Sequence, residues 1–137
     1  MAAEKNFENR VKKWLQSMGI YAAGTPSDKM TLPPKGWYHK TWGGGMSKSG
    51  IPDLLMCVNG FFLAVELKST VGKPTDLQEK NIKMVNNGGG VGLVLYPEGF
   101  EQFKNIIWGV ISCNSHTAEF KALKAVHSSI KCDTLTG

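Results

Sequence analysis

Apolar residues recur along this chain in more than one rhythm, and the rhythms mark its elements. Near the N-terminus Phe7, Val11, Trp14, Leu15 and Met18 repeat at helical spacing and Gly19 supplies a stop, which predicts an amphipathic helix from residue 4 to about 18. Between Ile51 and Lys68, two runs rich in β-formers flank Asn59-Gly60. That pair predicts a two-residue type I′ hairpin, because both turn positions need φ > 0. Val91 to Tyr96, a short apolar run after glycines, reads as a buried strand.

The intervening stretches are less regular. Residues 22 to 36 carry Gly24, Pro26, Pro33, Pro34 and Gly36 and read as loop. Trp37 to Trp42 alternates weakly and is taken as the first strand, followed by a glycine- and serine-rich stretch, Gly43 to Gly50. Thr75 and Gln78 fit a capping box that opens a helix to about Asn86, with Asn87-Gly88 as its stop. Leu77, Met84 and Val85 share one face of that helix, with Gln78 at the edge. After Pro97 the pattern is helical again, with Phe100, Phe103 and Ile107 on one face and then Phe120, Leu123 and Ile130 on another. The order is helix, three strands, helix, strand, then helices. It predicts an α/β domain with helices on both faces of a small mixed sheet, its first three strands antiparallel.

Composition narrows the class. At 137 residues the chain is one domain, 1–137, with a core over about 1–97 and a C-terminal helical part over about 98–137. No apolar run approaches a membrane span, and Glu4, Lys5 and Asn6 open an amphipathic pattern rather than a signal-peptide core, so no membrane partner and a cytoplasmic location are expected. Cys57, Cys113 and Cys132 are odd in number and widely spaced, which indicates no disulfide framework. The net charge of +5 favours an anionic partner, although a merely soluble basic surface would carry the same charge. Fifteen of the sixteen basic residues are Lys, with Arg10 the exception. Lys acts on phosphate as a point charge, so backbone or shape recognition is expected, with little base reading.

The hairpin carries the candidate chemistry. A two-residue turn pairs Val58 with Phe61 and Cys57 with Phe62, and outward counting puts Asp53 opposite Glu66. Lys68 lies two residues beyond Glu66, on the same face. Two acids opposed at about 5 Å repel by roughly 3 kcal/mol at an effective dielectric of 20. Lys68 could compensate them, and so could a divalent cation, since converging hard oxygens suit Mg²⁺ or Mn²⁺. Gln78 comes within reach of the Glu66 face, but its role in the capping box competes for the same side chain. On a helical wheel Glu4 lies near the apolar stripe while Glu8 turns further towards solvent; Glu4 also fits a favourable charge at a helix N-terminus. Lys40, and Lys48 in the glycine- and serine-rich stretch, are candidate contacts for a nucleic-acid backbone, although that stretch reads equally as a plain connector. Cys113, His116, His127 and Cys132 have zinc-like spacing, C-x-x-H then H-x-x-x-x-C, but the second half falls in a helical pattern that accounts for it without a metal. Neither a phosphate-binding G-x-x-x-x-G-K-[ST] nor a G-x-S-x-G nucleophile motif occurs.

Pro52-Asp53, followed by Glu66-Leu67-Lys68 on the next strand, resembles the PD-(D/E)xK nuclease motif. Gly50-Ile51-Pro52-Asp53-Leu54, Asn59-Gly60-Phe61 and the downstream Gln78 are similar to the virus-type replication-repair nuclease (VRR-NUC) family, over about the first hundred residues. The resemblance implies a restriction-endonuclease-like core of helix, three-strand antiparallel meander, helix and strand. It implies a Mg²⁺- or Mn²⁺-dependent endonuclease that hydrolyses DNA phosphodiester bonds. Asp53, Glu66 and the Leu67 carbonyl would be metal ligands, and Lys68 and Gln78 would serve catalysis. An acid on the first helix, Glu4 or in its stead Glu8, would assist. Stand-alone relatives of this size resemble Holliday-junction resolvases, which implies branched DNA, a homodimer, and a phage-type role in replication, recombination or repair. A catalytically silent DNA-binding or assembly module, or an RNA nuclease, are the alternatives the residues leave open.

Overall fold

The computed structural model describes residues 2–41, 50–113 and 132–134, the last three by their backbone. Three α-helices, α1 (Ala2–Ser17), α2 (Asp76–Asn87) and α3 (Phe100–Ser112), pack on a mixed sheet. Its strands are β1 (Ile20–Ala22), β2 (Gly36–Lys40), β3 (Leu54–Val58), β4 (Phe61–Leu67), β5 (Val91–Leu95) and β6 (Cys132–Thr134), in spatial order β1-β2-β3-β4-β5-β6. The β2–β3–β4 meander is antiparallel as expected. β1 pairs with β2 and β5 with β4 in parallel, and β6 closes the far edge antiparallel to β5.

The hairpin forms as its turn dictates. Asn59 has φ +51° and Gly60 φ +81°, the two positive values a type I′ turn requires. The register Val58–Phe61 to Leu54–Val65 follows from it. The Asn59 amide also donates to the Val110 and Cys113 carbonyls at 2.9 and 2.6 Å, which satisfies orphan acceptors at the C-terminal end of α3. Every residue of β5 and all of β4 except Phe62 are buried, as befits central strands covered on both faces.

One face of the sheet meets α1 and α3. Phe7, Val11 and Leu15 of α1 and Phe103, Ile107 and Val110 of α3 join Leu54, Met56, Leu63, Val65 and Leu93 in the main core. Phe7 meets Phe100 edge to face, ring centroids 5.7 Å apart. The other face is covered in part: α2 sets Ile82 on Val94 and Tyr96.

Several expectations need correction. The loop read over 22–36 contains a 3₁₀ turn, Ser27–Lys29, and just ahead of it, sharing only Ala22, lies β1, which was not expected because it is too short and too continuously apolar to alternate. On α2 the buried positions are Ile82 and Asn86, while Leu77 and Met84 are exposed, because the helix rolls its Asn86 amide onto the backbone of Gly92 (2.8 and 2.9 Å). Cys132 begins a strand rather than ending a helix. Trp42, Lys48, His116, Phe120, Leu123, His127 and Ile130 lie outside the described residues, and with them both histidines of the zinc-like spacing. No helix among the described residues is long and apolar enough to cross a membrane.

Candidate active site

At the open end of the β3–β4 hairpin, two neighbouring segments bring side chains to one place. Gly50 leads into the first acid. Its φ is +84°, and a Cβ there would sit 2.5 Å from Leu77 of α2, so only glycine lets the chain lie this close to the helix. Asn81 of α2 donates to the Gly50 carbonyl at 2.8 Å and fixes the approach. On the other side Thr41 donates its amide to the Asp53 carbonyl at 2.8 Å, which continues the β2–β3 ladder by one residue.

Asp53 stands immediately before β3. Its Oδ2 accepts the Leu67 amide at 2.9 Å, which ties it to the end of β4 beside Glu66. The hairpin register, extended by one pair, opposes Asp53 and Glu66 as expected. Glu66 is only 2% exposed. Its Oε2 accepts from Gln78 Nε2 at 2.8 Å and pairs with Lys68 Nζ at 3.2 Å. Its Oε1 is buried with no hydrogen-bond partner among the described residues. Burial pushes the Glu66 carboxyl up to about 7; the Asp53 charge adds to the push and Lys68 opposes it.

Gln78 serves two masters, contrary to expectation. Its amide oxygen accepts the Thr75 amide at 2.8 Å and its backbone N–H donates to Thr75 Oγ1 at 3.2 Å, which completes the capping box. The other end of the same amide, Nε2, reaches Glu66. An amide carries an acceptor and a donor on different atoms, so the cap and the site do not compete.

The solvent-facing reading of Glu8 also fails. Glu8 is 7% exposed, and it faces the end of β2. Lys12 lies 2.8 Å and Lys5 3.1 Å from its Oε2, and Lys40 lies 3.7 Å from its Oε1. Burial alone would raise its carboxyl, but Lys12, Lys5 and Lys40 together hold it below its ordinary value. Lys40 also stands 3.5 Å from Asp53 Oδ1, so this lysine bridges the helix acid and the hairpin acid. Glu4 is half-buried and lines the same space.

These residues enclose a cavity of about 320 Å³, lined by Glu4, Lys5, Glu8, Lys40, Asp53, Glu66, Lys68 and Gln78. Four of the eleven acids of a basic chain therefore meet in one hollow. Among the described residues, no three His, Cys, Asp or Glu side chains converge as a ready-made metal cage. Mg²⁺ does not need such a cage: it keeps several waters and takes one or two carboxylates plus substrate phosphate oxygens. The unpartnered Glu66 Oε1, opposite Asp53, is the kind of hard donor it takes. Sequence reasoning missed Asn81 and the Lys40 bridge. The strand parity of Lys40 was available, but the long connection from Thr41 to Gly50 left the β2–β3 register unset. The protein-family models, the curated proteins and the solved structures compared with the chain give no match.

Proposed function

We propose that the chain is a Mg²⁺- or Mn²⁺-dependent endonuclease acting on DNA phosphodiester bonds, a PD-(D/E)xK enzyme of VRR-NUC type with a restriction-endonuclease-like core. The observation that carries the reading is the buried Glu66 carboxylate, held opposite Asp53 by the hairpin register, with Lys68 and Gln78 on it. When bound, the metal would acidify a water and neutralise charge on the phosphate. Asp53, Glu66 and the Leu67 carbonyl would hold it. Lys68 would orient the attacking water and balance the negative charge that grows on the phosphate oxygens. Gln78, anchored by its cap, would keep Glu66 and Lys68 in place. Glu8, and Glu4 beside it, would set the charge of the cavity through Lys40.

A basic, Lys-dominated surface suits a phosphate backbone. The one arginine is not spare for guanine: Arg10 lies over the Phe100 ring, 5.4 Å from its centroid. Branched DNA, a homodimer and a cytoplasmic place in replication, recombination or repair extend this reading through the family resemblance. The alternative, a fold that binds without cutting, draws on the lysines already paired with both hairpin acids.

The test is incubation with labelled linear, flap and four-way-junction DNA in Mg²⁺, Mn²⁺ or EDTA. Cleavage by the parent with metal, none in EDTA and none by Asp53→Asn is expected. Asp53→Asn cutting at the parental rate would refute the assignment. Light scattering reads the dimer, with twice the 15.0 kDa chain mass expected.

A further inference from the structure

The sheet face that bears Asp53 and Glu66 continues past them as a series of cross-strand rungs. Moving from the site towards the turn, the next rung is His39–Leu55–Ala64 and the one after is Trp37–Cys57–Phe62. Alternate residues of a strand share a face, so these rungs and the acid pair look the same way. Among the described residues α2 covers this face over β5 and the Glu66 end of β4, and leaves the β2–β3 part and the turn end of β4 open. Across the second rung Trp37 of β2 is 49% and Phe62, at the turn end of β4, 46% exposed, and Cys57 and His39 are exposed beside them. The Trp37 and His39 rings already lie nearly parallel, 13° apart with centroids at 6.3 Å. Lys35, two residues before Trp37, is exposed as well.

Trp37 and Phe62 thus stand on one rung of the open face, on either side of Cys57. We infer that this Trp37–Phe62 rung, with His39 and Lys35, is a stacking platform for the bases of single-stranded DNA leading into the site. The substrate class rests on the nuclease reading above; the platform itself rests on the exposed rings. An aromatic face on a sheet takes unpaired bases by stacking, which is tolerant of sequence and agrees with a chain whose one arginine already lies over Phe100. The acid pair lies two rungs, four residues, from Trp37, or about 13 Å along the strands. That spans about four stacked nucleotides, and fewer where the strand is stretched. A second copy of the chain fits the patch less well. Two half-exposed rings offer about 200 Å², a quarter of the ~800 Å² per partner that a stable dimer uses. Lys35, exposed two residues before Trp37, and the net charge of +5 favour a polyanion over an apolar partner.

Fluorescence anisotropy of the full chain in EDTA, with a labelled 20-nucleotide single strand and the corresponding duplex, tests the proposal without cleavage. The parent should bind the single strand, and Trp37→Ala should weaken that binding about tenfold while changing duplex binding less than twofold. Trp37→Phe should retain most of the affinity. Phe62→Ala, on β4 across β3 from Trp37, should show the same selective loss and serves if Trp37→Ala does not fold. A parent that does not bind the single strand, or alanine variants that bind it as the parent does, would overturn the platform. A halved mass for Trp37→Ala in light scattering would overturn it in favour of a subunit contact. Because these arms contain no metal, they read the platform alone. Failure of the nuclease reading shows instead as absence of Mg²⁺-dependent cleavage by the parent.

Discussion

Glu8 and Glu66 are buried carboxylates on opposite walls of one cavity, yet the first is held below its ordinary pKa and the second is pushed up to about 7. Burial works the same way on both, so their neighbours make the difference. Glu8 on α1 has Lys5, Lys12 and Lys40 around it. Glu66 on the hairpin has one ammonium, Lys68, and a second acid opposite. The helix wall is electrostatically complete; the hairpin wall is short of positive charge. A divalent cation with a phosphate to bring in supplies what the hairpin wall lacks.

The contrast can be broken one side at a time. The largest effect should be on Glu66. Its folded pKa lies above the unfolded value, so between about 4.5 and 7 the native state binds the extra proton and stability falls as pH rises. The full difference is up to about 3 kcal/mol. Urea unfolding in EDTA should show the parent losing that much against Glu66→Gln across the window. Parallel curves for the two proteins would remove the strained acid from the account.

Lys68→Ala comes next. It strips Glu66 of its ammonium, so the carboxyl should titrate still higher, followed by NMR of the side-chain carboxyl. Cleavage should drop on the order of 100-fold, as for the loss of a group that assists proton transfer and charge balance. Unchanged turnover would leave Lys68 a structural counter-ion.

Glu8→Gln should act with the opposite sign. A depressed folded pKa gives stability that is present above about 4.5 and is lost as pH falls through the lower folded value. At pH 7 the variant should therefore lose about 1–2 kcal/mol, with three lysines left to repel one another, and the loss should shrink in acid. Gln78→Leu is the smallest, about 1 kcal/mol from the broken capping box, read by thermal melting.

The hairpin, its register and the pairing of Asp53 with Glu66 were legible because Asn59-Gly60 is a local device: a turn that needs two positive φ values fixes everything counted from it. The capping box of α2 was legible for the same reason. What was hidden depended on distant chain. β1 is three residues long and gains its place only by lying beside β2. Glu8 looks solvent-facing on a wheel, because a wheel does not contain the end of β2 that covers it. The sequence alone presents Gln78 as a choice between two roles, and only the structure shows that the two ends of its amide serve both. Lys40 bridges Glu8 and Asp53, a contact that depends on β2 lying beside β3.

Metal binding by the hairpin acids is the central claim, and thermal melting with Mn²⁺ at pH 8 tests it most directly. At that pH Glu66 is ionised, and a ligand at a hundred times its Kd stabilises the folded state by about 2.7 kcal/mol. The parent should melt several degrees higher with Mn²⁺, and Asp53→Asn should not respond. An equal Mn²⁺ shift in Asp53→Asn, or none in the parent, would contradict the claim that Asp53 and Glu66 together hold the cation.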